Sequence, residues 1–181
     1  MAPSPLLTPL AAAVLHVGEP ERILQVECGE GEGALFLARE FPSARVRGVD
    51  RSAEEIRRAT ARVGLDPEGR VAFKQGNPRS LPYPADHFDL LAAVDARPKP
   101  TEAARVLRPG GFLTLVATTS HRFHLSPRSS KEKGGNDVLA RWLLRRRLAL
   151  AGFEPIWAEA AGDGSFFVAR LRGGEAPRRS L

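Results

Sequence analysis

Short apolar runs and longer amphipathic stretches alternate along the chain, the arrangement of strands and helices in an α/β sheet. Ile23–Val26 reads as a first strand, and Gly33–Phe41 as the helix it feeds. Arg45–Asp50 has strand character. Ser52-Ala53-Glu54-Glu55 is a capping-box pattern that opens a helix running to about Val63, with Ile56, Ala59 and Val63 as its apolar face. Val71–Phe73 is a third short strand, followed by the Pro-rich stretch GNPRSLPYPADH, which does not suit regular structure. Phe88–Val94 is a fourth strand, Thr101–Leu107 a short helix, Pro109-Gly110-Gly111 a stop and turn, and Phe112–Ala117 a fifth strand. A polar, basic loop from Ser120 to Gly135 leads to a helix over Asn136–Ala151, capped by Asn136 and stopped by Gly152. Glu154–Ala160 and Ser165–Leu171 flank the Ala161-Gly162-Asp163-Gly164 turn and pair as a hairpin.

The expected architecture is one Rossmann-like domain over residues 20–172. It has a mostly parallel seven-stranded sheet, helices on both faces and a C-terminal antiparallel hairpin. Residues 1–19 form an extension whose apolar stretch suits a short helix packed on the domain, since Pro5, Pro9 and the lack of a basic leader argue against a signal peptide. Residues 173–181 read as a disordered tail.

A length of 181 residues with 43% hydrophobic and 27% charged residues fits a single core. The one cysteine, Cys28, excludes an internal disulfide framework and a multi-cysteine metal site, and points to a cytoplasmic setting. No stretch approaches the roughly 20 apolar residues of a membrane span. The net charge of +6 is concentrated: between His121 and Arg147 eight basic residues stand against two acidic ones. Such a segment suits a solvated face or a surface for anionic partners.

Candidate chemistry begins at the turn Glu27-Cys28-Gly29-Glu30-Gly31-Glu32-Gly33, between the first strand and its helix. Gly29 to Ala34 satisfies G-x-G-x-x-G/A, and Asp50 lies where a ribose-binding acid belongs, so a nicotinamide dinucleotide is one reading. Three glutamates beside the glycines repel a pyrophosphate and favour a ligand of net positive charge such as S-adenosylmethionine. The same residues also suit purely structural work: Asp50 as a turn cap, Glu30 and Glu32 as helix-start carboxylates.

Five motifs in order carry a resemblance. They are Glu27 to Gly33; Gly48-Val49-Asp50-Arg51-Ser52; Leu81-Pro82-Tyr83-Pro84 with Phe88-Asp89; Arg105-Val106-Leu107-Arg108-Pro109-Gly110-Gly111; and Ala151-Gly152-Phe153. Over roughly Pro20 to Leu171 the chain resembles the class I S-adenosylmethionine-dependent methyltransferases, in particular the ubiquinone and menaquinone biosynthesis branch. The resemblance implies that Glu27 helps anchor the methionine end. It implies that Gly29 and Gly31 let the backbone approach the cofactor, in a turn that also includes Cys28 and Gly33. Asp50 would accept from the ribose hydroxyls, with Arg51 beside the adenine. Asn77, flanked by Gly76 and Pro78, stands where the family often has an aspartate on the adenine amino group, and alternatively shapes its loop. Ala92 and Ala93 would offer carbonyls to the methionine ammonium.

Methyl transfer to a small-molecule acceptor needs no universal catalytic side chain, and positioning carries much of the acceleration. His121 and His124, after the fifth strand, and Asp95, after the fourth, are the candidate general bases, each also suited to a loop or cap role. Only fifteen residues, Leu90 to Ala104, separate Phe88-Asp89 from Arg105-Val106, fewer than the resemblance implies. The pocket is then more open, completed by a second subunit in a homodimer, or no longer catalytic. The N/D-P-P-Y/F motif of amine-methylating nucleic-acid enzymes is replaced by Val94-Asp95-Ala96-Arg97-Pro98, which disfavours a nucleic-acid substrate. The alternatives are a non-catalytic S-adenosylmethionine-binding or regulatory protein, an NAD(P)-dependent oxidoreductase, and an enzyme methylating RNA or protein.

Overall fold

The computed structural model describes residues 7–64, 66, 68–118 and 136–173, without the side chains of residues 136–141. The elements in chain order are α1 (Thr8–Val14), β1 (Arg22–Val26), α2 (Glu32–Glu40), β2 (Arg45–Asp50), α3 (Ala53–Val63), β3 (Val71–Gln75), β4 (Phe88–Val94), α4 (Pro100–Val106), β5 (Leu107–Ala117), α5 (Asn136–Leu150), β6 (Phe153–Ala161) and β7 (Gly164–Leu171). They build one seven-stranded sheet in the order β3-β2-β1-β4-β5-β7-β6. The first five strands are parallel, and β7 runs antiparallel between β5 and β6.

Central strands covered on both faces read as unbroken apolar runs. β4 is buried from Phe88 to Ala93, and its side chains alternate between two cores. Leu90 and Ala92 join Ile23, Leu37, Val46 and Phe166 under α1 and α2. Leu91 and Ala93 join Val26, Leu115, Leu148 and Phe167 under α4 and α5. α1 is part of this packing: Pro9, Leu10, Ala13 and Val14 are buried, and His16 just beyond it stacks on Trp157 and Phe166.

Several elements depart from the sequence expectation for definite reasons. β3 runs on through Lys74 and Gln75, polar residues that pair with Val49 and Asp50 along the sheet edge. In the capping box only half of the exchange forms. The Glu55 amide donates to Ser52 Oγ at 3.2 Å, but the Ser52 amide is taken by Asp50 Oδ1 at 2.9 Å. Along α3 only Ala59 is buried, while Ile56 and Val63 are half-buried. Pro109-Gly110-Gly111 is not a turn between elements but a bulge inside β5, because Leu107 already pairs with Phe88 before Phe112 pairs with Leu90. Gly110, at φ +81°, lets the strand bend there. The basic loop from Ser120 to Gly135, residues 174–181 of the tail and the Asn136 side chain lie outside the described residues.

Candidate functional site

Ligands of open α/β sheets bind beyond the carboxyl ends of the parallel strands, where the strand order reverses. Here that point is between β1 and β4, and β1 ends directly in the glycine turn. Glu27 (φ +53°), Gly29 (φ +50°) and Gly31 (φ +81°) all adopt left-handed backbone. The Cys28 amide donates to the Val49 carbonyl at 3.1 Å, and the Gly31 amide returns to the Cys28 carbonyl at 2.9 Å. Gly31 then caps α2.

The glycines do different things. A Cβ on Gly31 would lie 2.6 Å from the Phe73 ring and 3.1 Å from the Ala59 methyl. One on Gly33 would lie 2.4 Å from Gln25 Nε2. Both positions are therefore forced by packing within the protein. Around Gly29 the nearest atom to such a Cβ is Glu55 Oε2 at 3.8 Å, so Gly29 leaves room for a ligand. Cys28 points its sulfur into the core toward Gly48. Burial, reinforced by Asp50, pushes its thiol up to about 12, which leaves it protonated and unsuited to nucleophilic work.

Asp50 is the hub of the site. Its Oδ2 accepts from the Gly29 amide at 2.9 Å, its Oδ1 from the Ser52 amide at 2.9 Å, and its carbonyl from the Gly76 amide at 2.8 Å. One carboxylate thus fixes the turn after β1 and the start of α3, and each oxygen keeps lone-pair capacity for a diol. Beside it, Arg51 pairs with Glu27 at 3.4 Å, joining the ends of β1 and β2. Glu30 turns away and pairs with Arg58 at 3.1 Å and Arg62 at 3.2 Å on α3. Glu32 is exposed in the first turn of α2. The field of three unpaired carboxylates expected from sequence is consequently absent, because arginines compensate two of them.

Gly76 is held tightly, with Pro82 and Val49 atoms at 3.1 Å from where its Cβ would be, and Pro78 is buried. Asn77 is exposed, and its Oδ1 accepts the Arg79 amide at 2.9 Å. That bond serves the loop-shaping role, and Oδ1 keeps a second lone pair. Ala92 and Ala93 are buried and paired on both sides, with Gln25 and Thr114 and with Val26 and Leu115 respectively. Asp95, at φ +52°, accepts from the Thr118 amide at 2.8 Å and from its hydroxyl, so it ties the end of β4 to the end of β5. His121 and His124 lie outside the described residues. Among the described residues no group of acids, histidines and cysteines could hold a metal ion.

Two clamps went unassigned in the sequence, although the motifs that form them were visible. Asp89 is buried and accepts the Glu21 and Arg22 amides at 2.9 Å each while pairing with Arg108. Arg105 donates to the carbonyls of Tyr83 and Leu81 at 2.9 and 3.1 Å and pairs with Glu102, whose Oε1 accepts the Leu81 amide at 2.6 Å. The Leu-Pro-Tyr-Pro segment is thereby locked onto α4. The short connection after β4 leaves an apolar cleft of about 440 Å³, open mouth included. Asp95, Pro98, Pro100, Leu115, Leu144 and Leu148 are among its lining residues.

The sheet order differs from the all-parallel dinucleotide-binding order 3-2-1-4-5-6 by its antiparallel β7, and known proteins agree with that distinction. Residues 23–111 match the methyltransferase domain model. These residues form a methyltransferase domain. A fatty-acid O-methyltransferase of Mycolicibacterium smegmatis is 39% identical over 101 residues, 52% of this chain and 36% of that protein. A ubiquinone/menaquinone biosynthesis C-methyltransferase of Syntrophotalea carbinolica is 34% identical over 102 residues, 52% of this chain and 43% of that protein. The matches thus span less than half the length of these relatives. A solved S-adenosylmethionine-dependent methyltransferase from Aquifex aeolicus superposes with a TM-score of 0.68 at 19% identity, over 93% of each chain. The methyltransferase domain therefore has the class I fold expected from its five motifs, and α1 with the β6–β7 hairpin completes its sheet and cores.

Proposed function

We propose that the protein is an S-adenosylmethionine-dependent methyltransferase acting on a small-molecule acceptor. The observation that carries this reading is Asp50. Its carboxylate is oriented by two backbone amides at the end of β2, one of them that of Gly29, whose Cβ direction is open, and β2 is the neighbour of β1 at the β1/β4 reversal of the sheet. A ribose diol fits that acceptor pair. S-adenosylmethionine supplies, when bound, the electrophilic methyl group.

The chain's own contribution is positional. Asp50 and the Gly29 backbone hold one end of the ligand, and the Glu27–Arg51 pair borders the turn. The apolar walls near Asp95 exclude water from the line between donor and acceptor. The kinds of relative, O- and C-methylating enzymes of small molecules, support the acceptor class. No described helix is long and apolar enough to cross a membrane. A cytoplasmic setting belongs to the same proposal, supported by a lone cysteine kept as a buried thiol. So does a homodimer that would close the short side of the site.

Thermal unfolding with S-adenosylmethionine, S-adenosylhomocysteine, NAD or NADP tests the cofactor. A ligand at ~100 times its dissociation constant adds ~2.7 kcal/mol, a rise of roughly 5–10 °C for a domain of this size. Stabilisation by the two methionine-derived ligands alone is the expected result, and stabilisation by NAD or NADP alone overturns the reading. A second reading, binding without turnover, is favoured by one observation: Asp95 is engaged with Thr118 at the position where a base would act. Ligand stabilisation with no methyl transfer to any of a panel of hydroxyl, carbon and amine acceptors would establish it.

A further inference from the structure

The outer face of α5 has no use in the proposed reaction, and its composition is unusual. Leu144 and Leu148, one helical turn apart, face the core and the cleft beside β5. The opposite rows carry Trp142, Arg146 and Leu150, and beside them Leu143 and Arg147. Trp142 is 52% exposed, Leu143 40% and Leu150 80%. Arg145, Arg146 and Arg147 are all exposed, and Arg146 lies over the Trp142 ring at 5.3 Å. Among the described residues none of the three arginines forms an ion pair.

We propose that this face of α5 docks on an anionic lipid bilayer. The arrangement satisfies both requirements of interfacial binding: large apolar side chains to enter the acyl boundary, and guanidinium groups to remain at the phosphate level. Tryptophan prefers that boundary. A second copy of the chain is a poor occupant, because a two-fold contact through this face would bring arginines against arginines. A nucleic acid would use the charge and could stack on Trp142, but it gives Leu143 and Leu150 nothing to bury against. The chain's excess of positive charge adds long-range attraction toward an anionic surface. The inference holds whatever ligand the glycine turn binds.

The test uses the full chain with vesicles of phosphatidylcholine alone or with about one-third phosphatidylglycerol. Trp142 and Trp157 are the two tryptophans, so a Trp157→Phe variant makes Trp142 the single emitter. The expected result is cosedimentation with the anionic vesicles only, accompanied by a blue shift of Trp142 emission. Replacing Arg145, Arg146 and Arg147 with Gln lowers partitioning on the order of a hundredfold, at about fivefold per charge. Leu150→Ser weakens it with an unchanged thermal midpoint. Cosedimentation of the unmodified protein, and its loss with the arginine variants, provides a reading that does not depend on Trp157→Phe folding. Absence of binding to anionic vesicles overturns the proposal. So does binding that leaves Trp142 emission unmoved, or equal capture by single-stranded RNA that is insensitive to Leu150→Ser.

Discussion

The Asp50 carboxylate accepts the Gly29 amide at 2.9 Å, across 21 residues of sequence. A side chain at the end of β2 thereby sets the conformation of the turn at the end of β1, before any ligand arrives.

Substituting Asp50 should consequently damage the fold and the site together. Asp50→Ala leaves the Gly29 and Ser52 amides without their acceptor, at a cost of about 1–3 kcal/mol. Thermal unfolding should show a fall of about 2–12 °C, and S-adenosylhomocysteine should no longer raise the midpoint. Asp50→Asn retains one acceptor oxygen and should fall between the two. An Asp50→Ala protein that still responds to the ligand would remove Asp50 from the site.

Gly29 and Gly31 separate in stability, although the motif treats them alike. Both need left-handed backbone, which costs an alanine about 1–2 kcal/mol. Only at Gly31 does the new methyl meet the Phe73 ring, adding about 1–3 kcal/mol of overpacking. Urea unfolding should rank Gly31→Ala well below Gly29→Ala in stability, with part of the gap recovered when Phe73→Leu is added. Ligand affinity should show the reverse order, because the open side belongs to Gly29.

Glu102 makes the Leu81–Tyr83 clamp pH-dependent. Its carboxyl is held below the ordinary value chiefly by the hydrogen bond from Arg105, assisted by the Leu81 amide. A lowered folded-state pKa contributes stability that is complete above the unfolded value and is lost as pH falls through the folded one. Glu102→Gln should therefore be less stable than the parent at neutral pH. The difference should shrink as the pH drops below about 4. Denaturant unfolding at a series of pH values measures it, and a gap independent of pH would assign the effect to packing.

Much of this was legible in the sequence because period and punctuation agreed. Phe88–Val94 and Arg45–Asp50 were placed with their observed bounds, since each holds apolar residues that are buried in the sheet and is flanked by polar or turn-forming residues. What was not legible was partner choice. Glu30 next to the glycines looks like part of a ligand site, and nothing local reveals that Arg58 and Arg62, one helix later, claim it. Asp89 and Arg105 were visible as motif letters, but their hydrogen bonds to backbone join residues at least 22 positions apart in sequence. The bulge at Pro109–Gly111 was hidden for the same reason: its strand character comes from Phe88, not from its own residues.

Those partners alter what the glutamates of the turn should do. Three bare carboxylates would attract a cationic ligand together, so each neutralisation would weaken binding alike. Glu30 is instead shared by two arginines in an exposed cluster, where solvent and salt screen what remains. Glu32 is exposed at the start of α2. Glu30→Gln and Glu32→Gln should therefore leave S-adenosylmethionine affinity within about twofold, well under the ~1.4 kcal/mol that marks a tenfold change. Glu27 differs because its carboxylate lies at the turn and holds Arg51 at 3.4 Å. Glu27→Gln removes the one carboxylate of the three that lies at the turn and leaves the Arg51 charge uncompensated beside it, and affinity should fall about tenfold or more. Titration calorimetry on the three variants distinguishes the cases. An equal loss at all three positions would mean that the summed field, rather than the Glu27–Arg51 pair, governs the choice of ligand.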